Sequence, residues 1–272
     1  MERLQFRKKS FLSPARVSTL VDILKFVLVM AVLIWITAAG TERLGYHWQW
    51  YRIPRYLVTL DAGHIAAGPL LSGLLITFKI TGVSMVVAFS VGLVVALFRL
   101  SQSFTALAVA RGYLELIRNT PLLIQLFFIY FVIAPVTGMS AFTSAVLALS
   151  LFEGAYISEI FRSGILAVER GQWEASFSLG LTTLQTYRHV VLPQAFRIVL
   201  PPLTSQAISL VKDSALVSTI AIYDLTMVGQ AVIAETFLTF EIWFTVAAIY
   251  LVVTVFLSFL VHALETRMKF GS

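Results

Sequence analysis

Residues 71–98 form a stretch of 28 positions with a single charged side chain, Lys79. A helix of about 20 apolar residues crosses the hydrocarbon of a bilayer, where only helices and closed barrels satisfy their own backbone. A helix apolar on every side has to be surrounded by apolar material, so this stretch decides the class of fold. Five more runs obey the same rule: 20–39, 122–134, 142–161, 193–211 and 242–262. The run at 122–134 is short and is extended by a start near Thr120, with Pro121 in the first helical turn, where its missing N–H is harmless. The run at 193–211 carries Arg197, Pro201 and Pro202, so a kink is expected in it. The expectation is an all-α integral membrane protein of six spans. Composition agrees, with 58% hydrophobic and 12% charged residues in a chain of 272.

Six spans put both termini on one side. Placing that side in the cytoplasm collects Arg3, Arg7, Lys8, Lys9, Arg16, Arg99, Arg111, Arg118, Arg162, Arg170, Arg188, Arg197, Arg267 and Lys269 there. Only Arg43, Arg52, Arg55 and Lys212 then lie outside, the bias that fixes orientation in membranes. The net charge of +6 is read as this one-sided distribution and not as a nucleic-acid surface. Arg7 to Lys9 ahead of an apolar run, with small residues at Ala38 and Ala39, also imitate a secretory leader. Its removal would leave the other five spans oriented as before. Tyr46, Trp48, Trp50, Tyr51 and Tyr56 suit a belt at the outer headgroups. The chain therefore divides into a cytoplasmic tail (1–19), an extra N-terminal helix (20–39), an outer aromatic loop (40–69) and a core (70–268). Zero cysteines exclude disulfides, thiolate metal sites and a cysteine nucleophile.

The greasy pattern is interrupted at 172–197, QWEASFSLGLTTLQTYRHVVLPQAFR. Trp173, Phe177 and Leu179 form a rough helical stripe beside Glu174 and Ser178. Gly180 stands where a helix ends in a left-handed residue. Thr182 and Gln185 have the spacing of a capping box, and Pro193 opens the next span. Short amphipathic helices on such a loop either lie flat at the headgroups or dock into a groove on a soluble partner, and pattern alone leaves both open.

Spacing adds more. Glu174, Ala175 and Ser176, three residues, Gly180, nine residues, then Val190, Val191, Leu192 and Pro193 resemble the EAA loop (residues 165–192 here) of permease subunits in ATP-binding-cassette importers. Ser176 and Val190 depart mildly from that pattern, keeping a small and a branched aliphatic residue. YLELIRNTPLLIQ (113–125), AYISEIFR (155–162), GQWE (171–174), LPQA (192–195) and KDSALV (212–217) are similar to the polar amino acid uptake subfamily. The likeness runs from about Gly73 to about Met268 and leaves out the N-terminal span and the aromatic loop.

The resemblance implies a type I importer fold of five core helices plus the extra N-terminal one, in a bacterial cell membrane. It also implies alternating access, a second permease copy or sister subunit, a pair of cytoplasmic ATPases and an extracytoplasmic amino-acid-binding protein. ATP and magnesium are expected on the ATPase and no cofactor or metal in this chain, which contains no phosphate-cradling Gly-x-x-x-x-Gly-Lys-[Ser/Thr] loop. Trp173 and Phe177 would anchor the loop in the ATPase with Ala175 and Ser176, Glu174 would offer a charged contact, and Gly180 would set the angle.

Polar groups inside the spans are the candidate substrate contacts. Glu153 lies near the middle of its span, where an ionised carboxylate costs about 2.5–3.5 kcal/mol on insertion scales. It is either a buried ion pair or protonated carboxyl, or the counter-ion of a substrate ammonium or guanidinium. Glu159 is expected to pair with Arg162, three residues on. Lys79 and Lys25 are close enough to span ends to snorkel, and Lys79 is a secondary substrate candidate. Thr204, Gln206 and Ser209 give the fifth span polar character, for helix contacts or for the pathway. Asp213 with Ser214 is expected to cap a following helix. His189 and His262 lack a second ligand at metal spacing. The competing reading is a stand-alone ion-coupled carrier or channel using Glu153 and Lys79 as a relay.

Overall fold

The computed structural model describes residues 14–43, 45–61 and 64–269, which excludes Arg3, Arg7, Lys8 and Lys9 of the expected basic tail. Described residues up to Gln49 form one unit and those from Trp50 onward another. The first unit is built on α1 (Pro14–Arg43), whose segment Val21–Gly40 is long and apolar enough to cross a membrane.

The second unit starts with a turn at Trp50–Arg52, then α2 (Pro54–Leu57) and a hairpin of β1 (Val58–Asp61) and β2 (His64–Ala67). Residues 50–69 are thus not a free outer loop. Ile53 and Tyr56 are buried against Leu70, Leu225, Leu238 and Ile242, which ties this segment to the core. The hairpin is a small exception to an otherwise helical chain.

Next come α3 (Pro69–Leu100), α4 (Phe104–Arg118), α5 (Leu122–Phe127), α6 (Ala134–Thr137) and α7 (Ala141–Leu166). They are followed by α8 (Arg170–Ser178), α9 (Thr183–Thr186), α10 (Leu192–Asp213), α11 (Leu225–Thr236) and α12 (Thr239–Lys269). Wider π turns at Phe128–Ile133 and Tyr187–Val191 join α5 to α6 and α9 to α10. Among the described residues four helices meet the length and polarity of a span: Val21–Gly40, Pro69–Leu100, Ala141–Leu166 and Thr239–Ala263. Six result if two bent pairs are each counted as one, Phe104–Arg118 with Leu122–Thr137 at 105° and Thr183–Ile220 with Leu225–Thr236 at 48°.

Two expected spans are therefore redrawn. The helix does not start at Thr120: Pro121 is extended (φ −61°, ψ 139°) and α5 begins at Leu122, after an elbow. A residue before proline is pushed out of helical geometry, which favours a break at Thr120. Gln125 fixes the elbow by donating to the carbonyls of Ile117 and Thr120 at 2.8 and 3.0 Å. α4 escapes a search for apolar runs because Arg111, Glu115 and Arg118 alternate with the buried Ala110, Leu114 and Ile117. The fifth helix is longer than 193–211, because α9, α10 and their short extensions run on from Thr183 to Ile220. Pro201 and Pro202 lie inside α10.

α3 and α7 form the principal helix interface. Small residues line it: Ser84, Ala88, Gly92 and Ala96 on α3, Ala145, Ala148 and Ala155 on α7, all buried. Lipid gives apolar helices no hydrophobic reason to associate, so close backbone approach and hydrogen bonds such as Ser150 Oγ to the Ser84 carbonyl (3.1 Å) hold the pair. A Cβ added at Gly92 would stand 2.6 Å from Ile157 Cγ2.

At the opposite end of α3 from Arg99, the side chain of Asp224 caps α11 by accepting from the Met227 N–H (2.8 Å), and the Leu225 N–H donates to Thr77 Oγ1 (3.2 Å). A Cβ on Gly73 would lie 2.9 Å from the Asp224 carbonyl oxygen, which cannot move without breaking that cap. Gly73→Val is expected to destabilise the fold by about 1–3 kcal/mol through overpacking. Thermal unfolding of the purified chain in detergent reads this as a lower midpoint, whereas an unchanged midpoint would remove the close contact.

Candidate coupling loop and polar transmembrane site

α8 ends as the sequence suggests. Gly180 takes φ +78°, its N–H donates to the Phe177 carbonyl (2.9 Å), and the Leu181 N–H reaches the Ser176 carbonyl (3.2 Å). These bonds satisfy carbonyls that a helix end leaves orphaned. Thr182 and Gln185 then form the reciprocal box, with the Thr182 N–H donating to Gln185 Oε1 (2.8 Å) and the Gln185 N–H to Thr182 Oγ1 (3.4 Å). The first arm of this elbow is α8, and the second, α9, continues through the π turn into α10 with no intervening loop.

Trp173 differs from expectation. Its ring meets Tyr187 edge to face at 5.0 Å, in a cluster with Ile165, Val168, Val191 and Ala195, so it fastens the elbow to its own chain. Ser176 is buried and donates to the Gln172 carbonyl (2.6 Å). The face left open carries Glu174, Ala175, Phe177 and Leu179, joined by Leu184 of α9. Glu174 accepts from Arg170 (3.0 Å) in a solvated pair.

Beside this elbow, Glu159 of α7 binds three guanidiniums: Arg99 at the end of α3, Arg118 at the end of α4 (3.3 Å) and Arg162 (3.3 Å). The sequence suggests only the Arg162 contact. One carboxylate thus clasps three helices at the α8 end, and each guanidinium repels the other two without it.

Deeper along α7, Glu153 is fully buried. Gln206 Nε2 donates to its Oε2 at 2.5 Å, while its Oε1 receives no hydrogen bond. The Asp213 carboxyl also faces Glu153. Asp213 makes no capping bond to the turn Ser214–Ile220, so the expected cap is replaced by a second carboxyl in the Glu153 group. Two facing carboxyls, one buried and one half-buried, with one amide donor between them are satisfied either by a shared proton or by a cation.

The remaining candidates lie apart from this group. Thr204 Oγ1 donates to the Leu200 and Pro201 carbonyls of its own helix at 3.1 and 2.7 Å, and Ser209 is half-buried. Lys79 is exposed and holds its ammonium 5.4 Å from the Phe142 ring centre, a cation–π contact. His189 and His262 are both exposed.

The helical fold, with its exposed elbow and the polar group between α7 and α10, is shared with permeases of ATP-binding-cassette importers. A solved structure titled as an amino acid ABC transporter with histidines matches with a TM-score of 0.69 and 40% identity, over 73% of this chain and 94% of that one. The family of binding-protein-dependent transport system inner membrane components matches residues 88–270, and this chain belongs to it. The glutamine transport system permease of Escherichia coli is 38% identical over 203 residues, 74% of this chain and 93% of that protein. The L-cystine transport system permease of Bacillus subtilis is 39% identical over 203 residues, 74% and 87% of the two chains.

Glu159→Gln leaves three guanidiniums facing one another around a neutral amide. A loss of about 2 kcal/mol is expected from removing charge-assisted hydrogen bonds, and Arg162→Ala should cost less than Glu159→Gln. Denaturation of the purified variants ranks them, and equal stability would show that the clasp is incidental.

Proposed function

We propose that the chain is the permease subunit of an ATP-driven importer of polar amino acids, working by alternating access. The observation that carries this reading is the elbow itself: a helix stopped by a left-handed glycine, braced internally by Trp173, with an exposed face and a continuous path into α10. Such a lever suits a groove on a separate ATPase, since a loop meant for lipid needs neither the stop nor the brace. Arg99, Arg111, Arg118, Arg162, Arg170 and Arg188 cluster toward this end, which supports setting it in the cytoplasm with both termini. ATP hydrolysis belongs to the partner in this reading, and a second permease subunit and an extracytoplasmic binding protein complete the assembly.

The amino acid class rests on the relatives whose names give glutamine and cystine, together with the Glu153, Gln206 and Asp213 group. A paired carboxyl group accepts the ammonium that every amino acid carries, and it favours an additional positive charge in the side chain. Cargo moves only when its affinity differs between the outward and inward states, and carboxyls on two different helices supply a group whose geometry changes with the state.

Gly180→Arg places an L side chain at positive φ, at a cost of about 1–2 kcal/mol, and Glu174→Arg reverses charge on the exposed face. Both variants are expected to stay in the membrane with ATP hydrolysis no longer driving uptake. Assays of ATPase and uptake in proteoliposomes containing the whole complex decide the matter, and normal coupling in both would rule out the lever. Uptake by this chain alone, with no ATPase present, would favour the carrier instead. Glu153→Gln should weaken uptake of arginine at least tenfold more than uptake of glutamine, as charge pairing is worth more to the cation. Equal effects on both substrates would take the cationic preference away.

A further inference from the structure

Between α4 and α7, at the α8 end, lies a cavity of about 320 Å³ lined by Leu114, Glu115, Arg118, Asn119 and Tyr156. Its walls are polar at four of five positions and carry one charge of each sign. Arg118 places its guanidinium carbon 5.9 Å from the centre of the Tyr156 ring and donates to Glu159 through Nη1 alone, leaving Nε and Nη2 without a hydrogen bond among the described residues. Asn119 Nδ2 donates to Glu115 Oε2 (2.8 Å), which leaves Glu115 Oε1 and Asn119 Oδ1 as open acceptors, and the Tyr156 hydroxyl has no partner among the described residues.

Two unused donors of the Arg118 fork and two unused acceptors at Glu115 and Asn119, set side by side at the end of α4 opposite Tyr156 of α7, match a carboxylate and an ammonium held a bond or two apart. We infer that this notch is a second amino acid site, taking the zwitterionic backbone shared by all amino acids, with Arg118 on the carboxylate and Glu115 with Asn119 on the ammonium. An arginine fork favours a carboxylate geometrically as well as electrostatically. A bare anion such as phosphate meets the Glu115 charge, and a bare cation meets Arg118, so neither fits both groups. Glu115, Arg118 and Asn119 are exposed, so the notch does not enclose a side chain and binding is weak. The inference rests on the amino acid import proposed above. Tyr156 lies three residues beyond Glu153 on α7, a rise of about 4.5 Å, so the notch sits one turn nearer the α8 end than the buried carboxyl group.

The test uses the complete complex of permease and ATPase in lipid nanodiscs, without the binding protein, and radiolabelled L-arginine and L-glutamine in equilibrium dialysis. Two classes of site per permease chain are expected. In Glu115→Gln the weaker class loses at least tenfold in affinity for both probes, and Tyr156→Phe weakens the same class to a smaller extent. The Glu153-dependent class remains in both variants. Unlabelled glycine displaces the probes from the weak class, while arginine methyl ester, N-acetylglutamine and inorganic phosphate do not. A weak class untouched by Glu115→Gln, or one displaced by phosphate, overturns the notch as an amino acid site. Absence of the notch class with the Glu153-dependent class present overturns this inference alone, whereas absence of both also sinks the import reading.

Discussion

The close packing of α3 against α7 sets the position of everything else in the core. In water a helix pair is driven together by burying apolar surface, but in a bilayer that force vanishes and contact has to come from fit. Serine, alanine and glycine along both helices bring the backbones near enough for a side chain to bond a neighbouring backbone carbonyl, as Ser150 does with Ser84. Glu159 then closes the α8 end by drawing in Arg99 and Arg118 from α3 and α4. With α3, α4 and α7 fixed in this way, the elbow between α4 and α5 has a rigid base, and Gln125 needs only to bridge a few carbonyls to hold its 105° angle.

The coupling loop is built on the opposite principle, since little of it is buried. Local hydrogen bonds give it shape: the reciprocal bonds of Thr182 and Gln185, the two bonds around Gly180, and the inward serine at 176. Trp173 against Tyr187 is the one large contact between α8 and the helix that follows. Shape made by short-range bonds persists when partners come and go, which suits the lever role proposed for this loop. The exposed Phe177, Leu179 and Leu184 are costly on a surface in water, which supports the proposed docking of this face on a partner.

Local order of this kind is what the sequence makes legible. A glycine stop, a capping box three residues apart, and the Glu159 to Arg162 pair all depend on neighbours within one or two helical turns, so the spacing of residues carries them. Membrane spans are equally visible where they are uninterrupted, as in α3, α7 and α12. Contacts across helices leave no periodic trace. Arg99 and Arg118 lie 60 and 41 positions from Glu159, and nothing in either local pattern announces the meeting. Asp213 stands next to Ser214 and reads as a cap, although its carboxyl faces Glu153 instead. Trp173 shares a stripe with Phe177, yet the stripe alone does not say which member turns inward. α4 hides for a different reason: its polar and apolar residues alternate at helical spacing, so no window over it is uniformly apolar.

The two systems meet in α10. Its first turn continues from the elbow through the π turn at Tyr187–Val191, and Gln206 and Asp213, further along the same helix, complete the Glu153 group. Glu153 itself belongs to α7, which the Glu159 clasp and the α3 interface hold in place. A displacement of α10 relative to α7 therefore moves one half of the carboxyl group against the other. A shift of about an ångström suffices to break a hydrogen bond as short as that from Gln206, because such bonds weaken steeply with distance and angle. The carboxyls then have to find new partners, which is how the proposed substrate contact would change between states. A wider π turn at the junction of lever and span tolerates such movement better than a regular α-turn, because its bonds are already longer-looped and one residue is in excess.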